Sequence, residues 1–64
     1  MKRYVNVTDL EYKCVDVTIY EHEDGTCTCD IKHVGGELIK GREGLDNFMS
    51  ACLWAGRVID GWGE

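Results

Sequence analysis

Between Tyr12 and Val34 the chain alternates apolar and polar residues with a period of two. Val15, Val17 and Ile19 are interleaved with Asp16, Thr18 and Tyr20, and Cys27, Cys29 and Ile31 with Thr28, Asp30 and Lys32. Period two marks a strand with one buried face. The two runs flank Glu23-Asp24-Gly25 and predict one long β-hairpin. A two-residue Asp-Gly turn would set Ile19 opposite Asp30 and mix the faces. A three-residue loop with left-handed Gly25 sets Ile19 opposite Cys29, Val17 opposite Ile31 and Asp16 opposite Lys32. A one-residue slip would turn every side chain over, so the pattern selects the three-residue loop.

Residues 3–8 (RYVNVT) alternate more weakly, with Val5 and Val7 on one face, and predict a first strand joined through Asp9-Leu10-Glu11. Gly35-Gly36 signals a turn, Leu38-Ile39-Lys40 a short fourth strand, and Gly41 to Gly44 the end of the sheet. From about Gly44 to Asp60 the period changes to 3.6. Leu45, Phe48, Met49, Cys52, Ala55, Gly56 and Ile59 fall on one stripe of a helix expected to cover the hairpin's apolar face. Glu43 and Asp46 suit the positive end of its dipole. Gly61 is placed to terminate it, with Trp62 folding back on the last turn. The expected fold is α+β, an antiparallel meander of three or four strands with one C-terminal helix packed on one face. The elements are strands at about 3–8, 12–22, 26–34 and 37–41 and a helix at about 44–60, in a single domain over 1–64.

Sixty-four residues bury a thin core, so stability calls for help from a disulfide, a metal or a second subunit. Seven basic against twelve acidic residues give a net charge of −5. That balance argues against direct nucleic-acid binding, which needs Lys and Arg on phosphates, and suits a basic partner. No apolar run has the ~18 residues of a membrane span. MKRYVNV lacks the apolar stretch of a signal peptide, so a cytoplasmic, reducing location is expected.

The candidate chemistry is sparse. Cys27 and Cys29 share a face, and Cys52 lies on the helical stripe over it. With His33 they outline a zinc site, but the C-x-C spacing is not that of a structural zinc knuckle. Buried free thiols are the plainer reading. Cys14 lies apart from them. His22 and His33 read as surface or edge histidines without a nucleophile to serve. No carboxylate is set apart in an apolar environment, and no glycine-rich stretch is followed by the Lys-Ser/Thr of a phosphate loop. An enzyme is therefore not expected, and no cofactor or metal is assigned.

Acidic residues are the distinctive feature. Glu21, Glu23 and Asp24 crowd the hairpin tip. Asp16 and Asp30 continue along the face left open, with Tyr20 between them. Carboxylates spaced along a strand imitate a nucleic-acid backbone to a basic groove. The alternative is a charged face kept for solubility. Trp54 falls opposite the helical stripe, and an exposed Trp suggests contact with a partner or a second copy.

In size, acidity and layout the whole chain resembles the small proteins encoded by phages and prophages that act on host complexes, anti-CRISPR proteins among them. The resemblance rests on no shared motif and carries no residue assignments. It implies a non-enzymatic inhibitor in the host cytoplasm that binds a basic, nucleic-acid-binding surface of a host defence complex, a CRISPR effector being one such partner, and occludes DNA. The expected contact residues are Asp16, Tyr20, Glu21, Glu23, Asp24, Asp30 and Trp54. Competing readings are a phage structural or assembly protein acting as a homo-oligomer, and a zinc- or thiol-regulated module.

Overall fold

The computed structural model describes residues 4–61. Arg3, expected to open the first strand, and Trp62, expected to pack on the helix, lie outside the described residues. Four antiparallel strands in the order β1-β2-β3-β4 are followed by one helix. They are β1 (Tyr4–Tyr12), β2 (Val15–His22), β3 (Cys27–His33), β4 (Leu38–Leu45) and α1 (Phe48–Gly61).

The β2–β3 hairpin has the register that its pattern selects. Ile19 stands opposite Cys29, Val17 opposite Ile31 and Asp16 opposite Lys32. Gly25 occupies the left-handed region at φ 91°, and its N–H donates to the His22 carbonyl at 3.1 Å. Asp24 Oδ1 accepts from both the N–H and the hydroxyl of Thr26, at 3.0 and 2.6 Å, so this carboxylate helps build the turn.

The outer strands differ from expectation. Asp9, Leu10 and Glu11 are not a connection: β1 runs on to Tyr12, and the chain turns at Lys13-Cys14. Both residues have positive φ, 51° and 66°, as a two-residue turn twisted to match its strands requires. Neither is a glycine, so no local signal marks this turn, and each costs about 1 kcal/mol of left-handed strain. The Lys13 ammonium and the Tyr12 hydroxyl both donate to Asp60 Oδ1, at 2.6 and 2.8 Å, tying the turn to the last turn of α1.

At the other edge, Gly41 to Gly44 do not end the sheet but lie inside β4. Cys27 pairs with Leu45 and Cys29 with Arg42, leaving one extra residue in β4. Gly44, at φ 74°, takes up that bulge. A second irregularity, between Ile31 and Lys32, turns Ile39 toward the core.

The helix begins at Phe48 rather than near Gly44 because Asn47 caps it. Asn47 Oδ1 accepts from Ser50 N at 2.8 Å, and its carbonyl accepts from Ala51 N at 3.1 Å. No acidic residue sits in its first turn, and Gly61 is its last residue rather than a cap beyond it. The inward face is also turned from the expected stripe. Ala51, Ala55 and Ile59 are buried, with Phe48, Cys52, Trp54 and Val58 packed at the flanks, whereas Met49 is 69% exposed. Two alanines let the helix backbone approach the sheet closely. A Met at the centre of that contact would hold it off.

The core lies between α1 and β2-β3-β4: Val17, Ile19, Cys27, Cys29, Ile31 and Leu45 from the sheet meet the helical alanines and Ile59. β1 lies beside the helix rather than beneath it, with a groove between its Leu10 and Tyr12 and the Cys52, Ala55 and Gly56 side of α1. Leu10 and Tyr12 are on the helical side of the sheet by register, and both are exposed.

Candidate partner-binding face

The sheet face away from α1 is built in cross-strand rows. Residues directly opposite in an antiparallel pair share a face about 5 Å apart. One row reads Glu11, Asp16, Lys32, and the next reads Asp9, Thr18, Asp30, Gly41. A third holds Val7, Tyr20 and Thr28, and the last pairs Tyr4 with His22. The face thus carries four carboxylates in two adjacent rows at one end and aromatic rings at the other. Asp9 and Glu11 belong to it although the sequence alone placed them in a connection. Spaced by two from Val7, they continue its face of the strand, which was hidden by the absence of glycine at the true turn.

Of the predicted contact residues, Asp16, Tyr20 and Asp30 are gathered on this face, half-buried among their neighbours. Glu23 and Asp24 are exposed at the hairpin tip, beyond the His22 row. Glu21 is not part of the face. It stands opposite Cys27, on the helical side, and accepts from Asn6 Nδ2 at 3.1 Å. Trp54 is not an exposed anchor either. It is half-buried against the core on the far side of the sheet, and the exposed apolar residues of α1 are Met49 and Leu53.

His22, expected at the surface, is 6% exposed. Its Nε2 lies 2.7 Å from Thr28 Oγ1, the Tyr4 ring is 5.3 Å away, and Nδ1 is buried without a hydrogen-bond partner among the described residues. Thr18 is also buried, and its hydroxyl donates to Asp9 Oδ1 at 2.9 Å. A concavity of about 600 Å³ opens at this end of the face, between Tyr4, Tyr20 and His22 on one side and Asp30, Arg42 and Glu43 on the other.

The thiols are placed differently from any site chemistry. Cys27 and Cys29 are buried in the core, Cys52 flanks them, and Cys14 is exposed in the Lys13-Cys14 turn; all four are free. Burial, then the charge of Asp30, pushes the Cys29 thiol up to about 11, and burial raises Cys27 too. Such thiols are poor nucleophiles near neutrality. Among the described residues no group of three or more His, Cys, Asp or Glu side chains is arranged to hold a metal ion, and His33 is exposed at the end of β3. No described helix is long and apolar enough to cross a membrane.

The fold and this face define a two-layer α+β protein with one helix-covered and one open sheet surface. Comparison with protein-family models, curated proteins and solved structures gives no match to the chain. A functional reading therefore rests on the residues of the open face themselves.

Proposed function

We propose that this protein is a non-enzymatic inhibitor, acting in the host cytoplasm, whose open sheet face docks on a basic, nucleic-acid-binding surface of a host defence complex in the manner of an anti-CRISPR protein. The observation that carries the reading is the pair of rows holding Asp9, Glu11, Asp16 and Asp30 on a face that no described helix covers. Four carboxylates on a rigid sheet present a fixed negative field. A groove built for phosphates attracts it, and association is steered by charge and weakened by salt. Glu23 extends the field at the hairpin tip. Asp24 contributes charge but is engaged in the turn, so its substitution would disturb structure as well as charge.

The test is capture on the tagged protein from nuclease-treated bacterial lysates, followed by a DNA-binding assay on the complex recovered. The expected result is a basic complex, released by salt, whose DNA binding is blocked by the wild type. Glu11→Lys with Asp16→Lys should weaken that block by at least about tenfold while the far-UV spectrum stays unchanged, because like charges are then juxtaposed across the interface. Equal inhibition by the double variant would remove the face from the mechanism.

A second reading, a homo-oligomeric assembly protein, is favoured by one observation. Met49 and Leu53, one helical turn apart on the outer side of α1, are 69% and 59% exposed. A monomeric mass in sedimentation equilibrium at high concentration would dispose of it.

A further inference from the structure

The aromatic end of the open face differs in kind from the acidic rows beside it. Tyr4 and Tyr20 have ring centroids 4.9 Å apart and tilted by 34°, Tyr4 is 59% exposed, and both residues line the concavity. Across from the rings stand the carboxylates of Asp30 and Glu43. Neither has an ion-pair or hydrogen-bond partner among the described residues. The Asp30 carboxylate lies across the β4 backbone at Gly41. A Cβ there would come within 2.7 Å of Asp30 Oδ1, so glycine is what admits the carboxylate to this position. His22 lines the concavity beside the rings, almost wholly buried, and its buried Nδ1 has no hydrogen-bond partner among the described residues. In the tautomer whose Nε2–H donates to Thr28, that nitrogen is a lone-pair acceptor.

Free carboxylates and an exposed tyrosine ring together call for a ligand that is planar, cationic and rich in N–H donors. A guanidinium has all three properties: it stacks on aromatic rings and donates in pairs to carboxylates, whereas an ammonium is a compact, strongly hydrated point charge. We propose that this concavity receives an arginine side chain of the partner surface. This rests on the reading of the open face as a dock for a basic surface, and makes the concavity its specific anchor, with the acidic rows as its long-range field. Arg42 also lines the concavity, but it borders a second depression on the helical side, beside Trp54 and Arg57, and so straddles the β4 edge. It opposes the incoming charge rather than shaping its site.

The test is an amide-resolved NMR titration of the whole protein with three blocked tripeptides, Gly-Arg-Gly, Gly-Lys-Gly and the neutral, isosteric Gly-citrulline-Gly. The arginine peptide is expected to move the resonances of Tyr4, Tyr20, His22 and Gly41, the lysine peptide to move them less, and the citrulline peptide not at all. Asp30→Asn should weaken the arginine peptide about threefold, the scale of one exposed charge pair, and Arg42→Ala should strengthen it by a similar factor. Gly41→Ala, which keeps every charge but displaces the Asp30 carboxylate, should weaken it as Asp30→Asn does. Equal responses to arginine and lysine, or weaker binding in Arg42→Ala, would overturn the proposal. Shifts confined to Asp9, Glu11 and Asp16 would overturn the concavity as anchor while leaving the acidic face intact. Failure of the acidic face itself is read separately, in the DNA-binding assay with Glu11→Lys and Asp16→Lys.

Discussion

The two faces of the sheet bury side chains by opposite means. Under α1, Ile19, Cys29 and Ile31 are fully shielded by apolar atoms from a second layer. On the open face Thr18 and His22 are nearly as inaccessible with no layer above them. They are enclosed sideways by neighbours in the sheet, and each meets a polar partner, Asp9 for Thr18 and Thr28 for His22. Burial beneath a helix removes water from whole side chains and rewards apolar area. Burial within a crowded sheet surface shields only the lower atoms and leaves the tips of Asp16, Asp30 and Lys32 reachable. The first arrangement supplies stability, and the second supplies a structured surface that remains available to a partner.

The contrast is sharpest in truncation. Ile19→Ala should cost about 3 kcal/mol, the transfer and cavity cost of a core isoleucine, which is comparable to the whole stability of a domain this small. Its neighbour Thr18→Ala, one residue along and on the other face, should cost about 1 kcal/mol for a hydrogen bond whose carboxylate partner returns to water. Urea unfolding of both variants beside the wild type checks the pair. Equal losses would mean that the open face is as much a core as the covered one.

A smaller effect separates the faces by pH. The Cys29 thiol ionises near 9 in the unfolded chain and near 11 in the folded one. Its folded value is raised, so its contribution is complete below 9 and is lost as pH rises toward 11, an alkaline limb on the order of 2 kcal/mol. Cys29→Ala should flatten that limb whatever its effect on absolute stability. Urea midpoints measured between pH about 8 and 10 show it, and an unchanged slope would assign the limb to other groups.

The smallest expected effect lies outside both faces, at the latch between the β1–β2 turn and α1. The hydrogen bond from Lys13, then that from Tyr12, holds the Asp60 carboxyl below its ordinary 3.8. A depressed carboxyl stabilises above its unfolded value, and that contribution is lost as pH falls through the folded one. The pair is exposed, so the effect is slight. Lys13→Ala should lower stability slightly near neutrality and leave it almost unchanged in acid, where the Asp60 carboxyl is protonated, so that its acid-induced loss is smaller. A full-sized acid limb in that variant would exclude the latch as its source.

The central hairpin was legible in the sequence because each of its signals is local. Val15, Val17 and Ile19 alternate, Cys27, Cys29 and Ile31 answer them, and Gly25 marks the one residue that must be left-handed. The outer strands were not legible for the same reason in reverse. Lys13 and Cys14 turn the chain without glycine, and Gly41 and Gly44, which resemble a stop, are instead a close approach and a bulge inside β4. The candidate contact residues divide in the same way. Asp16, Tyr20 and Asp30 followed from the hairpin register, whereas Asp9 and Glu11 joined them only through the pairing of β1, and Glu21 left them through its own. Trp54 was misread because the helical period fits several neighbouring stripes.

Periodicity and charge by themselves determined an antiparallel hairpin with one apolar face, a helix to cover it and an acidic excess left outside, since these depend only on spacing along the chain. The tertiary structure decided which helical residues meet the sheet, how far β1 and β4 extend, and which carboxylates and rings come together on the open face. Those outcomes depend on how closely two alanines allow the helix to approach and on pairings between strands, neither of which is encoded in any one stretch of sequence.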